Sequence, residues 1–428
     1  MQAADVFTKL EIELKPDPSR TVIRPFSFDY PEAFRADRPS RAAAVLQRIE
    51  GLTPALRTRM LGLLRKPMQE RHRNSDAVFL RRFEAVREQL GNPPVDGTTQ
   101  LLIGAYFSQE FAFESAALFN PSIVRLPDTT PSVEDGVQFL LSLRGIGEGH
   151  VSSVTLRTGR WGPGDRLVID PVSPHGVPPR IERYADDWIR LLCDDSQDVS
   201  ETVIFPILPS QRQGIEDLRM VNFTDHDGVQ SIIGTYTAFD GKNARQELLR
   251  GVDMRTFEMR PLVGKLTGYK GMALFPRRID GQFVMLGRQD NENIWLLRSD
   301  DLYQWDAGAP IMAPKYPWEF VQLGNCGSPI EVDEGWLVFT HGVGMVRGYC
   351  IGACLLDKQD PARVLARTAS PLLFPSAEQR GGYVPNVTYS CGGLLHDRRI
   401  LLPYAIGDEY SAFAVANVDD LLSVMVPA

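Results

Sequence analysis

From about residue 116 onward the chain consists of short apolar runs of strand composition, each closed by Gly, Asp, Asn or Pro. The runs 137–144, 151–157, 232–238, 283–287, 294–297, 336–340 and 349–356 are too short and too often interrupted for helices. They predict strands joined by turns. An all-β architecture is therefore expected over residues 116–428. Polar-aromatic blocks such as 298–305 follow apolar strand pairs, and a related signature closes the chain at 416–422. Strand-rich units that recur in this way favour a β-propeller over a β-sandwich with long loops.

The preceding region has a different period. Between Arg38 and Leu90, residues Ala42, Ala43, Leu46 and Ile49 recur at helical spacing, as do Leu61, Leu64, Met68, Phe83 and Val86. Thr53-Pro54 predicts a capped helix start, and 91–94 (Gly-Asn-Pro-Pro) predicts a stop. Residues 1–115 are thus expected to form a helical N-terminal extension. Its arginines and lysines read as a solvated helix face, and its apolar face as packed within the chain, with self-association into a homo-oligomer as the alternative.

A formal charge of −8 over 428 residues argues against nucleic acid as a partner, because a phosphate backbone needs a basic face. No apolar run is long enough to span a bilayer, and no basic-then-apolar leader opens the sequence. A cytoplasmic location without a membrane partner follows as an expectation. The five cysteines (Cys193, Cys326, Cys350, Cys354 and Cys391) lack zinc-ligand spacing and read as reduced structural thiols, so no metal is expected.

Several runs end in a polar or charged residue. Arg144, Arg157, Arg288, His341 and Asp408 each close or follow an apolar run, Lys270 precedes one, and Asn120 follows 116–119. Singly, each reads as a satisfied strand-end group. In a propeller, equivalent strand ends converge on one axis, which would gather these cations beside a few carboxylates and suit an anion such as phosphate. The run Gly-Ile-Glu-Asp-Leu-Arg at 214–219 adds two adjacent carboxylates and an arginine within a strand, which are costly to bury unless paired or used. The Gly-rich 145–149 matches no nucleotide-binding loop and reads as a turn, and there is no GxSxG elbow.

In order along the chain, 119–122 (FNPS), 142–144 (SLR), 214–219 (GIEDLR), 270–276 (KGMALFP), 299–305 (SDDLYQW), 341–343 (HGV), 382–387 (GYVPNV) and 407–408 (GD) resemble glycoside hydrolase family 130, the β-mannoside phosphorylases and related β-mannosidases. The resemblance covers residue 116 to the C-terminus. It departs from the common pattern at Leu218, where proline is usual, and at Gly271, where aspartate is usual.

That resemblance implies a five-bladed β-propeller and an inverting phosphorolysis of β-mannosides to α-mannose 1-phosphate, with inorganic phosphate as co-substrate and no other cofactor. Asp217 matches the proton donor, which in the family acts through a sugar hydroxyl. Asn120, Arg144 and Asp408 match residues holding the mannosyl unit. Arg157, Lys270, Arg288, His341 and Tyr349 match the phosphate cradle. Glu216 and Arg219 are expected to pair and so hold Asp217. An inverting β-mannosidase of the same family is the alternative. It would need a second carboxylate to activate water, with Glu148, Glu258, Glu292 and Glu319 as candidates. A glycan-binding propeller without catalysis is the remaining reading.

Overall fold

The structure is a computed structural model that describes residues 3–32, 40–127 and 136–428. It divides into two compact units. One comprises Met1–Asp17, Glu114–Ser173 and Pro179–Ala428, the other Pro18–Phe113 with Pro174–Pro178.

The larger unit is built from antiparallel meanders. Its eleven-stranded sheet divides where Gly214 meets Ser152 in a single parallel pairing. With that division, five meanders follow one another among the described residues. The first runs through Ala117–Arg125, Val137–Ile146, Ser152–Trp161 and Leu167–Ile169. The second runs through Gly214–Thr224, Gln230–Phe239, Ala244–Gly251 and Thr256–Pro261. The third contains Ala273–Leu274, Phe283–Gly287, Ile294–Ser299 and Ala307–Met312. The fourth contains Gln322–Asn325, Gly335–Val343, Tyr349–Leu356 and Val364–Thr368. The fifth is completed from the other end of the chain: Thr8–Leu14 pairs with Tyr410–Asn417, which pairs with Arg399–Ile406 and through it with Thr388–Tyr389. Second strands such as Gly335–Val343 are buried on both faces, which explains their unbroken apolar composition. Apolar clusters fill the spaces between successive meanders. One of them joins Leu141 and Leu143 of the first to Leu401 and Phe413 of the fifth.

The smaller unit holds the expected helices. Arg41–Glu50, Pro54–Arg71, Ser75–Arg87 and Gly97–Tyr106 enclose a core that includes Phe79, Phe83, Leu102 and Ile103. Thr53 caps the second helix by accepting from the Leu56 amide, with Pro54 at the first turn. Gly104 lets the last two helices touch, since a Cβ there would lie 1.9 Å from the Phe79 carbonyl oxygen. The expected start of the helical region at Arg38 lies outside the described residues.

Two expectations change. The N-terminal region is not wholly helical: Thr8–Leu14 belongs to the strand-rich unit, and the helical unit carries its own two-stranded sheet, Thr21–Pro25 with Ser108–Ala112. A strand completing a sheet with a distant partner leaves no local helical period to read. The blocks at 298–305 and 416–422 do not form one repeated element either. The first folds back over buried Trp305, whose indole donates to the Leu302 carbonyl, whereas the second opens the helix Val418–Ser423.

Candidate active site

The polar strand ends follow a positional rule. Arg144 lies near the end of the second strand of the first meander, and Arg288 directly follows that of the third. His341 lies near the end of the second strand of the fourth, and Asp408 follows that of the fifth within a turn. First strands supply Asn120 and Asp217. Both of these strands are bulged at the residue concerned, between Phe119 and Ser122 and between Glu216 and Arg219. Asn120, Asp217 and Asp408 all have left-handed backbone, with φ of 48°, 54° and 49°. Asn and Asp adopt that region more readily than other side-chain-bearing residues, and a bulge re-aims the residue it carries.

Asp217 is the hub. Asn120 Nδ2 donates to its Oδ1 at 2.6 Å, and Arg144 Nη1 donates to the same oxygen at 3.2 Å. Arg219 Nη2 stands 4.0 Å from Oδ2. Burial pushes the Asp217 carboxyl up, but Arg144, Arg219, the Asn120 hydrogen bond and Lys270 outweigh it and hold the group at about 2. Asp408 moves the other way: burial and the Asp217 charge raise it to about 6 against the pull of Arg144 and Arg347. Two carboxyls in one site are thus driven apart, one ionised throughout and one that takes up its proton near pH 6.

The expected Glu216–Arg219 pair does not form. Glu216 Oε1 accepts from Arg144 at 3.1 Å and Oε2 from Lys270 at 2.6 Å. Arg219 is buried and spends its donors on the Cys326 carbonyl (3.0 Å), the Asp217 carbonyl (2.9 Å) and the Tyr389 hydroxyl (2.8 Å). Cations from two neighbouring segments saturate Glu216, while Arg219 finds acceptors on the fourth and fifth meanders. The arginine still braces Asp217, but through its backbone.

Beyond Arg219 lies a cationic and aromatic group. Arg288 Nη1 is 3.4 Å from His341 Nε2. His341 stacks on Tyr349 with ring centroids 6.0 Å apart and planes 14° apart, and its ring lies 4.9 Å from that of Tyr389. Burial, with Arg288 and Arg219 beside it, pushes the His341 imidazole well below its usual range, so the ring is neutral. A guanidinium offers no acceptor, so Nε2 accepts and the proton sits on Nδ1. That Nδ1 is buried with no hydrogen-bond partner, as are Arg288 Nε, Arg144 Nε, Asn120 Oδ1 and Asn325 Oδ1. Buried polar atoms left unpaired in one region mark a site built for a polar guest.

Of the expected phosphate residues, Arg288, His341 and Tyr349 come together. Lys270 is taken by Glu216, on the Asp217 side. Arg157 is not brought to the group: it is buried at the middle of its strand and pairs with both oxygens of Glu114 at 3.0 Å. The glutamates weighed for hydrolysis also lie elsewhere. Glu258 pairs with Arg190, Glu319 is buried against Arg367, and Glu148 and Glu292 sit on exposed turns. Tyr389 and Asn325 join the site without any signal in the sequence, since each lies in a strand of four residues or fewer. All five cysteines are free, and burial raises Cys193 and Cys350 to about 11, which keeps them as thiols.

A buried, ionised carboxylate with a cationic and aromatic group beyond it has the character of an active site, and comparison with known proteins gives the class. The family model described as beta-1,4-mannooligosaccharide phosphorylase matches residues 196–426, so the chain belongs to glycoside hydrolase family 130, whose members are glycoside phosphorylases or hydrolases. It is 33% identical over 214 residues to a 1,2-beta-oligomannan phosphorylase of Thermoanaerobacter sp., covering 49% of this chain and 70% of that protein. It is 36% identical over 163 residues to a beta-1,4-mannooligosaccharide phosphorylase of Ruminococcus albus, covering 35% of this chain and 48% of that one. The beta-1,2-mannobiose phosphorylase of Listeria innocua, solved with beta-1,2-mannobiose, shares the fold at a TM-score of 0.55 and 19% identity, over 73% of this chain and 92% of that one.

Proposed function

We propose that the chain is an inverting β-mannoside phosphorylase that converts β-mannosides and phosphate to α-mannose 1-phosphate. We read the five meanders as the blades of a five-bladed propeller. The observation that carries the functional reading is the composition of the wall beyond Arg219, where Arg288, neutral His341 and Tyr349 come together. The candidate glutamates are committed to other partners or lie on exposed turns. Such a wall suits an anionic nucleophile and offers water no carboxylate to activate it.

In this reading Asn120, Arg144 and Asp408 hold the mannosyl unit, and Arg288, His341 and Tyr349 hold phosphate in line with the anomeric carbon. A phosphate oxygen forms the new bond as the glycosidic bond breaks, and the leaving oxygen takes the proton of a sugar hydroxyl. That hydroxyl is reprotonated by Asp217, which first takes up a proton from solvent as substrate and phosphate bind. Asp217 rests as a carboxylate. An anion bound nearby cancels part of the cationic field that holds it down, moving the carboxyl toward the range a general acid needs. Incubation with β-mannobiose tests the reading. α-Mannose 1-phosphate is expected only when phosphate is supplied, and equal turnover in phosphate-free buffer would replace phosphorolysis with hydrolysis.

A further inference from the structure

Successive residues of a regular strand point to opposite faces of the sheet. Glu216 and Asp217 are successive, yet one guanidinium binds both. Arg144 Nη2 donates to Glu216 Oε1 at 3.1 Å and Nη1 to Asp217 Oδ1 at 3.2 Å. The bulge between Glu216 and Arg219, with Asp217 at φ 54°, turns both carboxylates to the same side. Their side chains are only 14% and 15% exposed. Arg144 is itself fixed from its own meander, its guanidinium 5.2 Å over the Phe119 ring. Lys270 reaches back from the segment before the third meander. Its ammonium donates to Glu216 Oε2 at 2.6 Å and lies 5.7 Å over the Phe239 ring.

A second carboxylate beside a proton donor is costly to bury. Its use lies in the cations it occupies. The cations around Asp217 are Arg144, Arg219 and Lys270, and their pull outweighs burial and keeps the carboxyl ionised. The other carboxyls facing it are Glu216 on its own strand and Asp408 of the fifth meander. His341, Tyr389 and Cys391 also face it, each neutral. Phosphorolysis needs Asp217 to take up a proton against the three cations, and Glu216 engages two of them directly. With Glu216 uncharged, the guanidinium that both carboxylates share would rest on Asp217 alone. Lys270 would lose its Glu216 partner beside the same carboxylate.

We propose that Glu216 is a positioning residue for the proton donor: it draws Arg144 and Lys270 off Asp217, leaving that carboxylate able to load a proton when substrate and phosphate bind. This deepens the phosphorylase reading and rests on Asp217 as the donor. The direction follows from charge, since a neighbouring anion disfavours ionised Asp217 and a released cation favours it.

The pH dependence of kcat, read at saturating β-mannobiose and phosphate, tests this. Its basic limb reports the group that must be protonated in the complex. Glu216→Gln is expected to move that limb to lower pH by about one unit, and so to lower kcat roughly tenfold on the basic side. Lys270→Gln should move the limb to higher pH, and the double variant should fall between the two. A merely structural role would lower kcat at every pH and leave the limb in place. That result overturns the inference, as does a limb that moves the same way in both single variants. Should Glu216→Gln not fold, the Lys270→Gln profile decides: a limb moved to higher pH supports the role, and an unmoved limb overturns it. Wild-type turnover without phosphate would replace phosphorolysis with hydrolysis yet leave this test intact, because an inverting hydrolase needs the same acid. An Asp217→Asn variant that keeps its turnover would remove the donor, and this role of Glu216 with it.

Discussion

Asn120 and Asp217 meet at 2.6 Å from bulges on the first strands of two successive meanders, both with left-handed backbone. The contact fixes which carboxylate oxygen is free to face a substrate, since Asn120 and Arg144 share Oδ1. Replacing Asp217 with Asn should lower kcat by about a hundredfold to ten-thousandfold while the protein still folds, the usual range for loss of a general acid. Steady-state phosphorolysis checks this, and a loss below tenfold would remove Asp217 from the chemistry.

Arg288 and Arg157 should separate cleanly. Arg288→Ala is expected to raise the KM for phosphate by at least about tenfold, because a charge-assisted contact to the nucleophile is lost. Glu114→Gln, which breaks the buried pair with Arg157, should instead cost about 3–5 kcal/mol of stability. Denaturant titration and phosphate kinetics on both variants make the comparison, and a phosphate KM shift in Glu114→Gln would return Arg157 to the cradle.

Asp408 sets a pH signature. Its folded carboxyl, at about 6, lies above its ordinary value of 3.8, so between those pH values the folded state binds more protons than the unfolded chain. Stability from this group therefore falls as pH rises through that window. Asp217, held at about 2, acts oppositely at lower pH, adding stability as pH rises toward 4. Asp408→Asn should stabilise by about 1–3 kcal/mol at pH 7 and lose that gain near pH 4. Melting curves at the two pH values test it; an equal gain at both would assign the effect to packing.

Glu247 is fully buried and accepts from Tyr236, Gln211, Ser210 and Arg245 at 2.6–2.7 Å. It ties the turn Pro209–Gln211 to the second meander just before the strand that carries Glu216 and Asp217. Glu247→Leu should destabilise by about 3–5 kcal/mol, since four donors lose their acceptor. A change in unfolding free energy below about 1 kcal/mol, read from urea titration, would contradict it.

Much of the strand-rich region was legible. The run 283–287 coincides with Phe283–Gly287 and 349–356 with Tyr349–Leu356, because these strands are buried on both faces and bounded by turn residues. Strand ends with polar residues marked Arg144, Arg288, His341 and Asp408. What escaped was set by distant pairing. The direction in which Arg219 or Lys270 turns depends on acceptors presented by other meanders, and Arg157 resembles Arg144 along the chain but differs in what lies across from it. Thr8–Leu14 was hidden for the same reason, its partner lying at the opposite end of the sequence.

That pairing of Thr8–Leu14 with Tyr410–Asn417 has a temporal side. The fifth meander, which bears Asp408, cannot close until Tyr410–Asn417 has emerged, and until then Thr8–Leu14 must wait without that partner. Contacts of such sequence separation form slowly, because the loop they close is nearly the whole chain. The group around Asp217 and Asp408 should therefore be among the last features to mature during synthesis, well after the contacts within each earlier meander.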